Sequence, residues 1–207
     1  MPVPSAQEIM DLTKPEQPTE EELIWARAIE HGDYEVYSER LHNICLESKE
    51  IFIRSGVTMM LRAGDLITAI YTPKGDMVAS YCGTYIHAVT AQLPIKYIIK
   101  YFAKDATVGV REGHVFYAND AIYGGIHNCD QIAIIPVFQR GELIAWAAAA
   151  AHQPETGATE PGGQPTSAKS RYDEGMRLPP IKIGENNRLK NDLLEMMASM
   201  VGRTPRM

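Results

Sequence analysis

Residues Gly113 to His152 read GHVFYANDAIYGGIHNCDQIAIIPVFQRGELIAWAAAAAH. Within this stretch Ile132 to Phe138 is apolar and β-branched, and Gln139-Arg140-Gly141-Glu142 is turn chemistry. The run after the turn is rich in alanine, which prefers helix. A central strand flanked closely by other backbone also takes small side chains, and the turn sends the chain back along itself. The two runs therefore read as a β-hairpin. A glycine-containing loop, YGGIHNCDQ, leads into it, and His152 closes it.

Folding such a hairpin can bring His127 and Asp130, three apart in the loop, to His152 at the far end of the second run. Two imidazoles and one carboxylate with open positions suit manganese, iron(II) or zinc. Gly124 and Gly125 supply the dihedral freedom that a tight ligand loop needs. Cys129 lies between the two loop residues, where a thiolate would favour zinc. Asn119 and Asp120 stand just before the loop, where either could orient a ligand histidine through its other ring nitrogen. The competing reading makes His127 and His152 hydrogen-bonding residues of a β-rich core, with Asp130 closing a turn. Spacing alone leaves both open, because His-x-x-Asp is a common coincidence.

Upstream, residues 1–19 carry four prolines among polar residues and read as an extended arm. Thr19 followed by Glu20, Glu21 and Glu22 marks a helix start, with a capping hydroxyl and acids at the positive end of the dipole. Apolar residues then recur at helical spacing to Phe52, with Gly32 as the expected break into two helices and Gly56 as the end. His31 and His42 fall here without a partner at ligand spacing and read as exposed or capping residues. RAGDLITAIYTPKGDMVASYCGTY reads as two strands around the turn Thr72-Pro73-Lys74-Gly75-Asp76. His87 follows at a strand-to-helix junction, and Ala88 to Phe102 has helical periodicity. A histidine at such a junction is commonly a structural hydrogen bonder; its alternative role is in the active site.

Downstream, Gln153 to Ser170 is long and irregular and directly follows a candidate ligand, which favours an active-site loop. Glu174 to Ile183 reads as extended around Pro179-Pro180, and an amphipathic helix is expected from about Asn187 to Val201. The fold class expected is α+β: N-terminal helices, then a mainly antiparallel sheet carrying the central metal-binding hairpin, with helices on one side of it. Residues 20–207 are expected to form the N-terminal part of a larger, truncated domain.

Composition narrows the function. The 207 residues are 45% apolar and 22% charged, with a formal net charge of −6 and no dense Lys/Arg block, so nucleic acid is not an expected partner. No run approaches the roughly 18 to 20 apolar residues that span a bilayer. The start lacks a secretory pattern, and Cys45, Cys82 and Cys129 are too few for a disulfide framework. A cytoplasmic protein is expected.

The ordered matches go further than composition. Asn119-Asp120, Gly124-Gly125, His127, Asp130, Pro136-Val137-Phe138, Gly141-Glu142-Leu143, Ala151-His152 and Glu174 to Pro180 resemble the hydantoinase B/oxoprolinase family. Within it, the likeness is to the catalytic subunits of ATP-dependent acetone carboxylases. The resemblance runs over most of residues 20–185. Ala121 stands where the family usually has proline. Gln153 replaces a second histidine, and Glu155 an aspartate, of many hydantoinase-type members, which tilts the likeness to the ketone carboxylase branch.

The resemblance implies a manganese ion on His127, Asp130 and His152, with zinc or iron as alternatives. It implies carboxylation of a small ketone with bicarbonate to a β-keto acid at the cost of ATP. The chain has no Gly-x-x-x-x-Gly-Lys-Ser/Thr loop, so ATP would be used by a hydantoinase A-like partner subunit, with a small third subunit completing the complex. His87 is the candidate for proton transfer. Family subunits are much longer, so the chain would correspond to the N-terminal part of one. The rival readings are an ATP-dependent hydantoinase or 5-oxoprolinase-type amidohydrolase, an iron(II) oxygenase, and a non-catalytic assembly piece.

Overall fold

Two tight turns lay down the centre of the molecule. The computed structural model describes residues 4–160 and 162–202. After α1 (Ala6–Asp11), α2 (Glu20–Ala28), α3 (His31–Ser55) and α4 (Met59–Ala63), the Thr72–Asp76 turn folds β1 (Leu66–Tyr71) onto β2 (Met77–Cys82). Helices α5 (Tyr85–Thr90) and α6 (Gln92–Tyr101) and strand β3 (Val115–Ala118) follow. The hairpin then forms as expected, β4 (Asp130–Gln139) against β5 (Glu142–His152). Its two turn residues, Arg140 and Gly141, have φ of 52° and 85°, the left-handed pair that matches strand twist. Strands β6 (Ile181–Glu185) and β7 (Arg188–Leu189) and helix α7 (Asn191–Val201) complete the chain. The seven strands form one antiparallel sheet in the order β2-β1-β5-β4-β3-β6-β7.

The alanine run takes its place beside two apolar strands. Trp146, Ala148 and Ala150 of β5 share one buried layer with Ile67, Ala69 and Tyr71 of β1 and Ile132 and Ile134 of β4. Ala88 and Ala91, with Ile95 and Ile98 of α6, close that layer. Tyr71 donates to the Ala88 carbonyl at 2.8 Å, and the Trp146 indole donates to the Pro73 carbonyl at 3.2 Å. Both large rings are thus buried with their polar tips satisfied. A smaller core joins Tyr117, Met176, Leu178 and Ile183 to α7.

Helices cover both faces of the sheet, correcting the expectation of one side only. Strand β1 is buried at successive positions rather than alternate ones, so it needs cover twice. Leu66 and Ala151 pack against Leu61, Phe52 and Ile53, and Thr68 donates to the Cys45 carbonyl of α3 at 2.7 Å.

Three local readings change. The N-terminal arm is not wholly extended: Ser5 and Glu8 form a reciprocal capping box that starts α1. The arm is also held down, with the buried Lys96 ammonium on the Lys14 carbonyl at 2.7 Å and the Glu16 amide on Asp76 at 3.1 Å. Residues 1–3 lie outside the described residues. The helical break falls at Ile29–Glu30, leaving Gly32 inside α3. The last helix starts at Asn191, because Asn186 and Asn187 take φ of 54° and 59° to turn β6 into β7. The caps at Thr19 and Gly56 stand where they are expected.

Candidate metal centre

One end of the sheet gathers the polar residues. Asp130 pairs with His152 across β4 and β5, and on the other side Leu66 pairs with Ala151. The His152 amide donates to the Asp65 carbonyl at 3.2 Å. Asp65, His152 and Asp130 therefore lie side by side on three neighbouring chain segments. A bulge near the turn decides this. Phe138 pairs with Leu143 but Val137 with Ala145, leaving Ile144 as the extra residue. Without it the turn would set Ala151 opposite Asp130, and the side-chain alternation would be reversed.

The loop before β4 folds over its own aspartate. Asp130 Oδ2 accepts from the Ile126 and His127 amides at 3.1 and 3.3 Å. Gly124, at φ 115°, passes so close to the junction of α5 and α6 that a Cβ would lie 2.5 Å from the Thr90 carbonyl. Asn119 ties the loop from below, donating to the Asn128 and Met176 carbonyls at 2.8 Å and accepting from the Leu178 amide. Glu174 accepts from the Asn128 amide at 3.1 Å.

The result is a cluster of His127, Asp130 and His152 whose ligand atoms all lie within 4.8 Å of one another. Asp130 Oδ1 is 3.4 Å from His152 Nδ1 and 3.8 Å from His127 Nε2. That oxygen is buried and has no hydrogen-bond partner. A buried carboxylate oxygen facing two imidazoles is costly unless a cation or proton meets it. The donor set and the orphaned oxygen fit a divalent transition metal. Burial pushes the His127 imidazole below its ordinary pKa, against the upward pull of Asp130. The lowered value favours the neutral ring that a metal requires.

His87 joins this group from α5. Its Nε2 lies 3.2 Å from Asp65 Oδ1 and its Nδ1 3.6 Å from Asp130 Oδ2. The buried ring thus links two carboxylates. Burial alone would raise the Asp65 carboxyl, but the Thr84 hydroxyl at 2.7 Å and the His87 ring together bring it below its ordinary range.

Cys129 is turned elsewhere. Its buried thiol donates to the Gly163 carbonyl at 3.2 Å, and burial pushes its pKa to about 11. Asn119 and Asp120 hold backbone and arginines rather than a ligand histidine. Asp120 meets Arg171 at 3.0 Å and Arg177 at 3.5 Å. His31 and His42 are exposed, and His31 faces Glu35 at 3.3 Å on the same helix.

The irregular segment after His152 returns to the site. Gly163, at φ 73°, is pressed on Cys129, and Gln164 Nε2 then lies 2.8 Å from His127 Nε2. Three residues of this neighbourhood escape sequence reasoning: Asp65, Glu174 and Gln164. Asp65 had a signal, an acid directly before β1, whose hairpin partner β2 leads the chain on to His87. Glu174 stood in the family pattern with no role attached to it, and Gln164 had no spacing to mark it.

The chain as a whole resembles known proteins. The hydantoinase B/oxoprolinase family model matches residues 31–207. The acetophenone carboxylase delta subunit of Aromatoleum aromaticum is 42% identical over 207 residues, all of this chain and 30% of that subunit. The acetone carboxylase alpha subunit of Xanthobacter autotrophicus is 35% identical over 141 residues, 68% of this chain and 18% of that subunit. A nucleotide-free acetone carboxylase structure superposes with a TM-score of 0.77 at 30% identity, over 83% of this chain and 22% of that one. The chain thus spans less than a third of the length of these relatives. No helix among the described residues is long and apolar enough to cross a membrane.

Proposed function

The chain belongs to the hydantoinase B/oxoprolinase family, and from that premise we propose that it is the metal-binding portion of an ATP-dependent ketone carboxylase subunit. The observation that supports this most is the convergence of His127, Asp130 and His152 in a chain whose relatives include acetophenone and acetone carboxylase subunits. The reaction would join a ketone, acetone or an aryl ketone, to carbon dioxide derived from bicarbonate, giving a β-keto acid.

His127, Asp130 and His152 would hold manganese, with zinc or iron as alternatives. The ion, when bound, supplies a Lewis acid for oxygen charge that develops as the ketone loses its α-proton. Asp130 aligns the two imidazoles, and its own geometry is held by the Ile126 and His127 amides. His87 is the proton-handling group, with the proton at Nε2 shared with Asp65 Oδ1. Gln164 donates to the His127 ring nitrogen that faces Asp130 and would have to yield that nitrogen to the ion. ATP would be used by a hydantoinase A-like partner, with a small third subunit in the same hetero-oligomer.

The test is reconstitution with the companion subunits, following bicarbonate- and ATP-dependent loss of acetone and of acetophenone alongside metal content. His87→Gln should keep the metal and lose most turnover, whereas Asp130→Asn should lose both. A metal-loaded complex that hydrolyses hydantoin or 5-oxoproline and leaves both ketones untouched would replace this reading with the amidohydrolase one. Unchanged complex activity in the triad variants would make the chain an assembly piece.

A further inference from the structure

We infer that Asp65 is the catalytic base that meets the ketone, its Oδ2 taking the α-proton while His87 and Thr84 hold the other carboxylate oxygen. The inference rests on the ketone carboxylase reading above and deepens it. His87 stays in the proton path, but the end of that path which touches substrate is Asp65.

The two side chains differ in what they leave free. The His87 side chain is 4% exposed, and both its ring nitrogens face carboxylates, Asp65 Oδ1 at 3.2 Å and Asp130 Oδ2 at 3.6 Å. A base must come within hydrogen-bond reach of the proton it removes, and neither nitrogen of this ring is left for a substrate. The Asp65 side chain is 27% exposed. Its Oδ1 accepts from the Thr84 hydroxyl at 2.7 Å and pairs with His87. Among the described residues Oδ2 accepts no hydrogen bond, and it lies 3.9 Å from His152 Nδ1. That same nitrogen faces Asp130 Oδ1 at 3.4 Å. One oxygen of Asp65 is therefore held, and the other is open at the edge of the candidate ligand cluster.

This position suits the chemistry. The α-carbon of a ketone stands two bonds from its oxygen. A ketone with its oxygen toward His127, Asp130 and His152 thus carries its α-hydrogens beside that cluster, where Oδ2 lies. The C–H bond breaks, the proton goes to Oδ2, and the electron pair stays with the substrate as its enolate. The enolate carbon then bonds to the carbon of carbon dioxide, and the proton leaves Oδ2 for solvent on the exposed side. The other acids nearby are committed. Asp130 Oδ2 accepts two loop amides, and Glu174 accepts the Asn128 amide. Among the described residues Glu174 makes no ion pair with His127 or His152.

The test uses the complex reconstituted with its companion subunits, ATP and manganese. Asp65→Asn keeps the size of the side chain and an oxygen for Thr84. It should keep the metal and a ketone KM within about threefold, and lose about a hundredfold or more in kcat. Asp65→Ala should also keep the metal, and added formate should restore part of its turnover saturably, by supplying a carboxylate in the space left. The inference is overturned if Asp65→Asn keeps kcat within about tenfold of wild type, if it loses the metal, or if formate leaves Asp65→Ala unchanged. A wild-type complex that turns over neither acetone nor acetophenone removes the carboxylase reading and this inference with it. Ketone turnover by wild type that survives in Asp65→Asn removes the inference alone.

Discussion

Asp130 and His152 are direct cross-strand partners, with Oδ1 and Nδ1 3.4 Å apart, only because Ile144 bulges out of β5 eight residues earlier. The register of a hairpin is normally set by its turn. Here the turn and the bulge set it together, and the candidate site depends on their sum.

Deleting Ile144 should therefore spare the site. The deletion removes the extra residue and leaves the pairs from Val137–Ala145 to Asp130–His152 as they are. Metal affinity, measured by competition with a chelating dye, should stay within about threefold of wild type, because the register at the site is unchanged. Loss of metal from a folded deletion variant would mean that the bulge does more than set register.

Asp130→Asn should lower metal affinity by about a hundredfold or more, since the carboxylate proposed as the charged ligand is gone. The amide keeps the size of the carboxylate and still accepts from the Ile126 and His127 amides through its oxygen. The metal-free variant should therefore melt close to wild type. A large drop in melting temperature without metal would show that the carboxylate is mainly structural.

Gly163→Ala should destabilise the chain by about 1–3 kcal/mol, from a left-handed φ and a Cβ forced against a neighbour. The new Cβ would clash with Cys129 Sγ. Adding Cys129→Ala should recover part of the loss but not the dihedral cost. Chemical denaturation of the two variants separates these contributions. In Gly163→Ala the His127 ring should also lose the Gln164 contact, visible as a shifted imidazole resonance.

Acid should weaken the metal-free protein through His127. Its folded pKa lies below the unfolded value because burial disfavours the imidazolium. Its contribution is therefore fully present above about pH 6.5, and it is lost as pH falls from there through the folded pKa. Asp65 is also lowered, but its contribution is lost only in the more acidic carboxylate range. Denaturant midpoints at pH 7.5 and 5.5 should thus fall further in wild type than in His127→Gln. Equal falls would remove His127 as the source.

Cysteine chemistry gives a separate check on the covering loop. With its pKa near 11, Cys129 should be about a thousandth thiolate at pH 8 and alkylate slowly. Cys45 is buried and its thiol is also pushed up by burial. Cys82, less buried, should react first. Rapid labelling of Cys129 in the folded protein would mean that Gly163 and its loop are not seated as described.

Much of the fold was legible in the residues. Thr19 with its three glutamates, the TPKGD turn and Gln139-Arg140-Gly141-Glu142 each act over a few residues, so local chemistry alone determined those elements. The family pattern singled out His127, Asp130 and His152, and folding brings these three together. What only the tertiary structure decided is which neighbours share that end of the sheet. Asp65 arrives by strand pairing, His87 by packing of α5, and Gln164 by a loop pressed on Cys129. Strand register, a single bulged residue and helices on both faces depend on contacts between segments far apart in the chain. No local spacing encodes those contacts, because each is a sum of many small packing energies across the sheet.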